Sequence, residues 1–267
     1  MSAAFAMSHP SYGQRRYVTS VASVVLENNP SSMTLEGTNT WLLAAPEAAG
    51  LVVVDPGYDD REHLAAVAES GPVELILLTH HHPDHAEGAP WLAARTGAPV
   101  RAFDQSLCWG AAPLCGGETV TAAGLDIEVL HTPGHTADSV SLRVDRVAES
   151  MVLTGDTVLG SGTTVLSDLG DYLGSLDTLG ELPEGVVGLP GHGPEIDDLV
   201  GTVRSYSQHR RQRLDAVQDA LRVLGASPAD VDPRDVVEIV YADVDRSLWD
   251  AATASVRAQL SYLADVS

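Results

Sequence analysis

Residues 79–85 read Thr-His-His-His-Pro-Asp-His, directly after the apolar run Leu75-Ile76-Leu77-Leu78. That run has the length and composition of a buried strand. Within the segment, His80, His82, Asp84 and His85 form the pattern H-x-H-x-D-H. Four metal-capable side chains in six positions, at the end of a core strand, narrow what the chain can become. Clustered imidazoles and a carboxylate suit a first-row divalent cation. A histidine tag or a surface loop would not follow a core strand in this way.

The pattern recurs at three later strand ends. Asp126-Ile127-Glu128-Val129-Leu130 runs into His131-Thr132-Pro133-Gly134-His135, Val152-Leu153-Thr154-Gly155 into Asp156, and Val186-Val187-Gly188-Leu189-Pro190-Gly191 into His192. In each case a His or Asp stands beside Gly or Pro, residues that permit tight turns and so aim a side chain into a shared cleft. Alone, His135 or His192 reads as an ordinary loop histidine. Repetition at four strand ends argues for one site.

Charge and composition limit the chemistry. The 267 residues carry a formal net charge of −22, and every one of the 15 basic residues is arginine. Without lysine there is no Schiff-base chemistry and no P-loop lysine. Residues 1–200 hold 7 arginines against 27 carboxylates, so the surface should repel a long polyanion and favour small substrates. The one basic cluster is Arg204, His209, Arg210, Arg211 and Arg213. It reads either as a solvated helix face or as a clamp for an anionic group on a substrate. Cys108 and Cys115 match no disulfide framework and no zinc-thiolate spacing, and are expected as structural thiols in a reducing cytosol. No run of eighteen apolar residues occurs, and the start lacks a charged and then apolar leader, so a cytoplasmic protein without a membrane partner is expected.

The layout is that of a layered α+β chain. Strands are expected near 18–26, 39–44, 51–54, 74–78, 99–102, 126–130, 138–144, 151–154 and 186–189. Helices are expected near 60–69, 86–96, 171–180 and 197–224. In the tail, helices at 233–241 and 246–264 would turn Val236, Val237, Ile239 and Val240, then Leu248, Val256, Leu260 and Leu263, toward a core. Three regions follow: a poorly ordered 1–16, a catalytic domain over 17–200, and a helical C-terminal domain over 201–267.

The combination of Asp55 in Val-Val-Asp-Pro-Gly, the H-x-H-x-D-H run, His135, Asp156 and His192 resembles the metallo-beta-lactamase superfamily over about residues 18–200. The resemblance implies an αββα sandwich with a two-metal site. His80, His82 and His135 would hold the first ion, Asp84, His85 and His192 the second, and Asp156 would bridge them. Asp55 would support the site without binding metal. Asn29-Pro30, Thr34-Leu35-Glu36-Gly37-Thr38-Asn39-Thr40-Trp41, Gly155 to Gly160, Gly162 to Val165, Asp171-Tyr172 and Ser175-Leu176 are similar to the subgroup of lactamase-beta-like protein 2. That subgroup contains a mitochondrial endoribonuclease and microbial thioesterases, and has a small winged-helix-like helical cap. His81 departs from its pattern, which has tryptophan or another bulky residue there.

From that resemblance the expected cofactor is two divalent ions, zinc first, with manganese and iron as alternatives. Two ions about 3.5–4 Å apart would share a hydroxide that attacks a carbonyl carbon or a phosphorus, with Asp84 orienting it or taking its proton. Tyr172, Arg210, Arg211 and Arg213 are the candidate substrate contacts. Three functions stay open: a hydrolase of small esters, thioesters or related acyl compounds; an endoribonuclease of single-stranded RNA; and a metal-binding protein without turnover. Low aromatic content, 5%, and the absence of a basic stripe weigh against RNA.

Overall fold

The computed structural model describes residues 11–146, 149–243, 245–246 and 249–265. Contacts divide the chain into two compact units, each discontinuous in sequence. One comprises the chain through His131 with residues 138–164 and 183–199. The other comprises 132–137, 165–182 and the chain from 200 onward.

The first unit is built on two sheets. Strands β1 (Arg15–Tyr17), β2 (Ala22–Leu26), β3 (Asn39–Leu43), β4 (Leu51–Val54), β5 (Val73–Leu77) and β6 (Val100–Arg101) lie in chain order in a six-stranded sheet. Strands β7 (Thr119–Ala122), β8 (Leu125–His131), β9 (Val140–Arg146), β10 (Glu149–Gly155) and β11 (Val187–Pro190) form the second, in the order β11-β10-β9-β8-β7. The central strands of the first sheet are apolar at successive positions because both faces are covered. Val52, Val54, Leu75 and Leu77 join Ile127, Val129, Leu142 and Val144 in the core between the sheets. Their neighbours Leu51, Val53, Ile76 and Leu78 face the other way. They pack with Leu64 and Val67 of α1 (Arg61–Glu69) and Ala89, Leu92 and Ala93 of α3 (Ala89–Thr96).

Pairing direction places the strand ends. β4 runs parallel to β5 with Val54 opposite Leu77, and β10 runs parallel to β11 with Gly155 opposite Pro190. The residues that follow each pair, Asp55 with 78–80 and Asp156 with 191–192, therefore leave the sheets at their carboxyl ends. In layered α/β folds that is where ligand-bearing loops collect.

Local chemistry explains where the elements depart from the sequence expectation. Of the strand expected over 18–26 only β2 forms, because Thr19 Oγ1 accepts from the amides of Val21 and Ala22 at 3.2 and 3.0 Å and folds a turn between it and β1. The strand at Arg15–Tyr17 begins within the segment 1–16 expected to be poorly ordered; residues 1–10 of that segment lie outside the described residues. The helix expected over 86–96 is two, α2 (Pro83–Ala86) and α3, since Gly88 N donates to Gly57 O at 2.8 Å between them. Strand β7 was not anticipated. It pairs with β8 through a two-residue turn in which Ala123 and Gly124 have φ of 48° and 71°, values that match the twist of a hairpin.

The second unit is helical: α4 (Leu169–Gly180), α5 (Leu199–Leu224), α6 (Pro233–Val240) and α7 (Trp249–Asp265). Asp168 and Asp232 cap α4 and α6 by accepting from Asp171 N and Arg234 N. Leu169, Leu173, Leu214, Val217, Val236, Val237, Val256, Leu260 and Leu263 form its core. Ile239 is exposed, not buried as expected, since it lies about 200° round the helix from Val237. Leu248 lies outside the described residues. No helix among the described residues is long and apolar enough to cross a membrane.

Leu142 is fully buried between the sheets. Leu142→Ala should destabilise the protein by about 2–5 kcal/mol in urea unfolding. A loss well below 1 kcal/mol would contradict a close-packed intersheet core.

Candidate metal centre

Asp55 follows β4 with a left-handed backbone, φ 53°, and is buried. Its Oδ1 accepts from Thr79 N at 2.7 Å. Its Oδ2 accepts from Thr79 Oγ1 at 2.6 Å and from His85 Nδ1 at 2.8 Å. With Nδ1 committed to Asp55, Nε2 is the nitrogen left to face the other donors. That nitrogen stands 3.4 Å from Asp84 Oδ2, 3.5 Å from Asp156 Oδ1 and 3.4 Å from His192 Nε2.

His192 is oriented by the same logic. Its Nδ1 donates to Gly37 O at 3.2 Å, and Nε2 lies 3.2 Å from Asp84 Oδ2 and 3.3 Å from Asp156 Oδ2. On the other side, the hydroxyl hydrogen of Thr79 goes to Asp55, so Thr79 Oγ1 accepts from His80 Nδ1 at 3.0 Å. His80 Nε2 then faces His82 Nδ1 at 3.0 Å. The structure thus brings Asp84, His85 and His192 within 4.8 Å of one another by their ligand atoms, and likewise His80, His85 and Asp156.

The donors fit a divalent cation. They are imidazole nitrogens with their other nitrogen held by a carboxylate, a hydroxyl or a carbonyl, plus two carboxylates. The space between them is kept open by backbone choice. A Cβ on Gly191 would stand 2.5 Å from Asp156 Oδ1 and 2.7 Å from His85 Cε1.

The electrostatics show what a cation would replace. Burial opposes charge on His85, but Asp156 and Asp55 outweigh it and hold the imidazolium well above the ordinary histidine range. Burial likewise opposes charge on His192, yet hydrogen bonds to Asp156 and Asp84 push it up to about 9. Burial acts to raise Asp84 and Asp156, and the two histidines more than reverse it, so both carboxyls fall below the ordinary carboxylate range. Protons therefore take the positions where a metal would bind.

Residues without an obvious ligand pattern secure this arrangement. Asn39 Nδ2 donates to Pro190 O at 3.1 Å and Gly193 O at 2.9 Å, and Trp41 Nε1 donates to Pro190 O at 2.9 Å. Asn29 Nδ2 donates to Thr38 Oγ1 at 2.9 Å, and Thr38 Oγ1 donates to Asp84 Oδ2 at 3.4 Å. The segment from Asn29 to Trp41 thus grips the loop that carries His192. Sequence reasoning missed Thr79 and Glu27. Burial, with Asp60 and Asp84 adding to it against the Tyr58 amide, pushes Glu27 up to about 7. Its one signal in the sequence is a carboxylate closing the apolar strand Val24-Val25-Leu26.

The remaining candidates lie in the second unit. His135 Nδ1 donates to Val165 O at 2.7 Å. Its turn is seated on α4: Ser175 Oγ donates to Pro133 O at 2.6 Å, and Gly134, φ 127°, has no room for a Cβ, which would lie 2.4 Å from Tyr172 Cα. Tyr172 is fully buried and packs beneath the His135 turn. Arg210 lies over the Tyr172 ring at 5.6 Å, Arg213 over Tyr241 at 5.1 Å, and Arg211 donates to Asp177 Oδ1 at 3.1 Å. Each of the three guanidinium groups thus has a contact of its own.

Comparison with known proteins agrees with this geometry. The model of the Metallo-beta-lactamase superfamily matches residues 33–192, and that of the Beta-lactamase associated winged helix domain matches 233–265. The chain is 34% identical over 268 residues to the Beta-lactamase-like protein 2 homolog of Drosophila melanogaster, covering 92% of this chain and 88% of that protein. It is 32% identical over 252 residues to the homologue of the same name in Caenorhabditis elegans, covering 90% and 82%. Among solved structures, a Beta-lactamase domain protein from Burkholderia ambifaria superposes with a TM-score of 0.77 over 98% of this chain and 92% of that one; at 19% identity this shows the fold.

The metal-free protein has a defined pH response. His192 titrates at about 9 folded against about 6.5 unfolded, so its proton stabilises the fold fully below pH 6.5. That stability is lost as pH rises from 6.5 through 9. Urea melts of chelator-treated protein should show a fall on the order of 2–3 kcal/mol across this window, and metal-replete protein should not, because the cation takes the proton's place. A flat profile without metal would show that the imidazole is not held by the carboxylates.

Proposed function

The chain belongs to the metallo-beta-lactamase superfamily and has its two-sheet fold with a C-terminal winged-helix domain, and on that premise we propose that it is a two-metal hydrolase of a small ester, thioester or related acyl compound. The observation that carries this reading is the convergence of His85 Nε2, His192 Nε2, Asp84 and Asp156, each imidazole aimed by a fixed partner at its other nitrogen.

Asp84, His85 and His192 would hold one ion. His80 and His82, with His135 added by the family pattern, would hold the other, and Asp156 would be shared. Nitrogen and oxygen donors without thiolate suit zinc, and also manganese or iron. Such ions supply Lewis acidity and bring the pKa of water toward neutrality. Asp84 serves twice. Oδ2 would be a ligand oxygen, and the carboxylate, held below the ordinary carboxylate range, would orient water and accept its proton. His80, His85 and His192 are buried, which keeps bulk water from competing for the donors.

The acidic surface supports a small substrate over a long polyanion. The arginines of α5 support the same choice. An anionic substrate would have to displace Asp177 from Arg211.

Elemental analysis of metal-replete protein should find two ions per chain. Turnover should appear on a thioester and ester panel and exceed cleavage of labelled single-stranded RNA run beside it. Asp84→Asn should lower kcat about a hundredfold or more while leaving the His80–His82 ion bound. One ion at most would end the two-metal reading. RNA cleavage without acyl turnover would replace the substrate class.

A further inference from the structure

His81 stands between two candidate ligands and has no part in the chemistry above. Its side chain is 51% exposed, and its ring lies 5.1 Å from that of His82 at an interplanar angle of 65°. Its Nδ1 meets Asp138 Oδ1 at 2.7 Å. Asp138 is only 13% exposed, and its Oδ2 is buried with no hydrogen-bond partner among the described residues. An orphaned buried carboxylate oxygen costs free energy, and a single hydrogen bond to a half-exposed ring returns little of it as stability. The pair is therefore poorly explained as a structural device.

Its effect on His81 is specific. A carboxylate only accepts, so Nδ1 carries a hydrogen, and the tautomer this selects leaves Nε2 as the acceptor. The outcome is an acceptor of fixed tautomer, half open to solvent, beside a ring of the candidate metal centre.

We propose that His81 is a specificity-determining residue of the hydrolase and that Asp138 is its positioning residue. Resting on the hydrolase reading, the inference narrows the substrate to an acyl compound carrying an N–H or O–H donor a few bonds from the reacting carbonyl. His81 Nε2 accepts that hydrogen. An analogue lacking the donor leaves the acceptor unmatched and binds more weakly.

The test uses two thiols that differ in one group, N-acetylcysteamine and N-methyl-N-acetylcysteamine, titrated calorimetrically into the zinc-loaded full chain. Wild type should bind the N–H thiol about three- to tenfold more tightly. In His81→Phe the ratio should fall to about one. In Asp138→Asn the amide can donate to Nδ1 and move the ring proton to Nε2, so the ratio should reach one or reverse. Zinc content is measured for each variant, since loss of a metal would shift both affinities together and leave their ratio alone. Equal affinities in wild type, no binding of either thiol, or a ratio retained in both variants overturns the role of His81. Thioester turnover is measured in parallel. A thiol ratio that responds to both substitutions in a protein without turnover would remove the hydrolase reading and leave His81 as a recognition residue.

Discussion

The carboxylate of Asp55 accepts three hydrogen bonds, from the amide and hydroxyl of Thr79 and from His85 Nδ1. These bonds do more than fill a buried acid. A hydroxyl has one hydrogen, and once Thr79 gives it to Asp55, the Thr79 oxygen can only accept from His80. One side chain thereby selects the tautomers of two imidazoles, one in each candidate ligand group. It does so from a left-handed backbone, which a non-glycine residue adopts only against steric cost. The position is reached because β4 ends level with β5, so the acid and the Thr79 backbone lie side by side.

The second sheet delivers its share through a different device. β10 and β11 end together and project Asp156 and His192, but two short turns are not stiff by themselves. The stiffness comes from Asn39 and Trp41 of β3, whose side chains donate to carbonyls of the His192 loop. Both sheets are thus tied at the one edge where the ligands lie. Acids and imidazoles gathered in such a place repel like charges and lose hydration, and they persist because each is balanced by an opposite one. The proton held on His192 and the depressed carboxyls of Asp84 and Asp156 are two sides of that balance.

Much of this was readable from the chain because ligand chemistry and strand ends coincide in sequence. Runs such as Leu75–Leu78 announce a strand, and the residue after a strand end has nowhere to go but the sheet edge. The rest was hidden for physical reasons. Thr79 is one threonine among many until its hydroxyl is seen to relay Asp55 to His80. Tyr172 falls in the helix expected over 171–180, but its burial depends on Gly134 approaching the α4 backbone, a contact 38 residues away in sequence. β7, four residues of Thr-Val-Thr-Ala, is too short and mixed to register as a strand without β8 beside it. Of the α5 arginines, Arg210 and Arg213 stand three apart and share a helix face, whereas Arg211, next to Arg210, is turned about 100° from it.

The second unit has a consequence for how the chain is made. It is assembled from residues 132–137, 165–182 and everything from 200 onward. The seat of the His135 turn is α4, and the apolar side of α4, Leu169 and Leu173, is covered by residues of α5, α6 and α7. The last of these, Leu260 and Leu263, are translated more than 120 residues after His135. The cover of α4 thus comes from residues made long after the His135 turn, whereas Asp55 and Thr79, which fix His80 and His85, precede them in the chain. A chain interrupted near residue 200 would keep every histidine of the pattern and still lack the support under one of them.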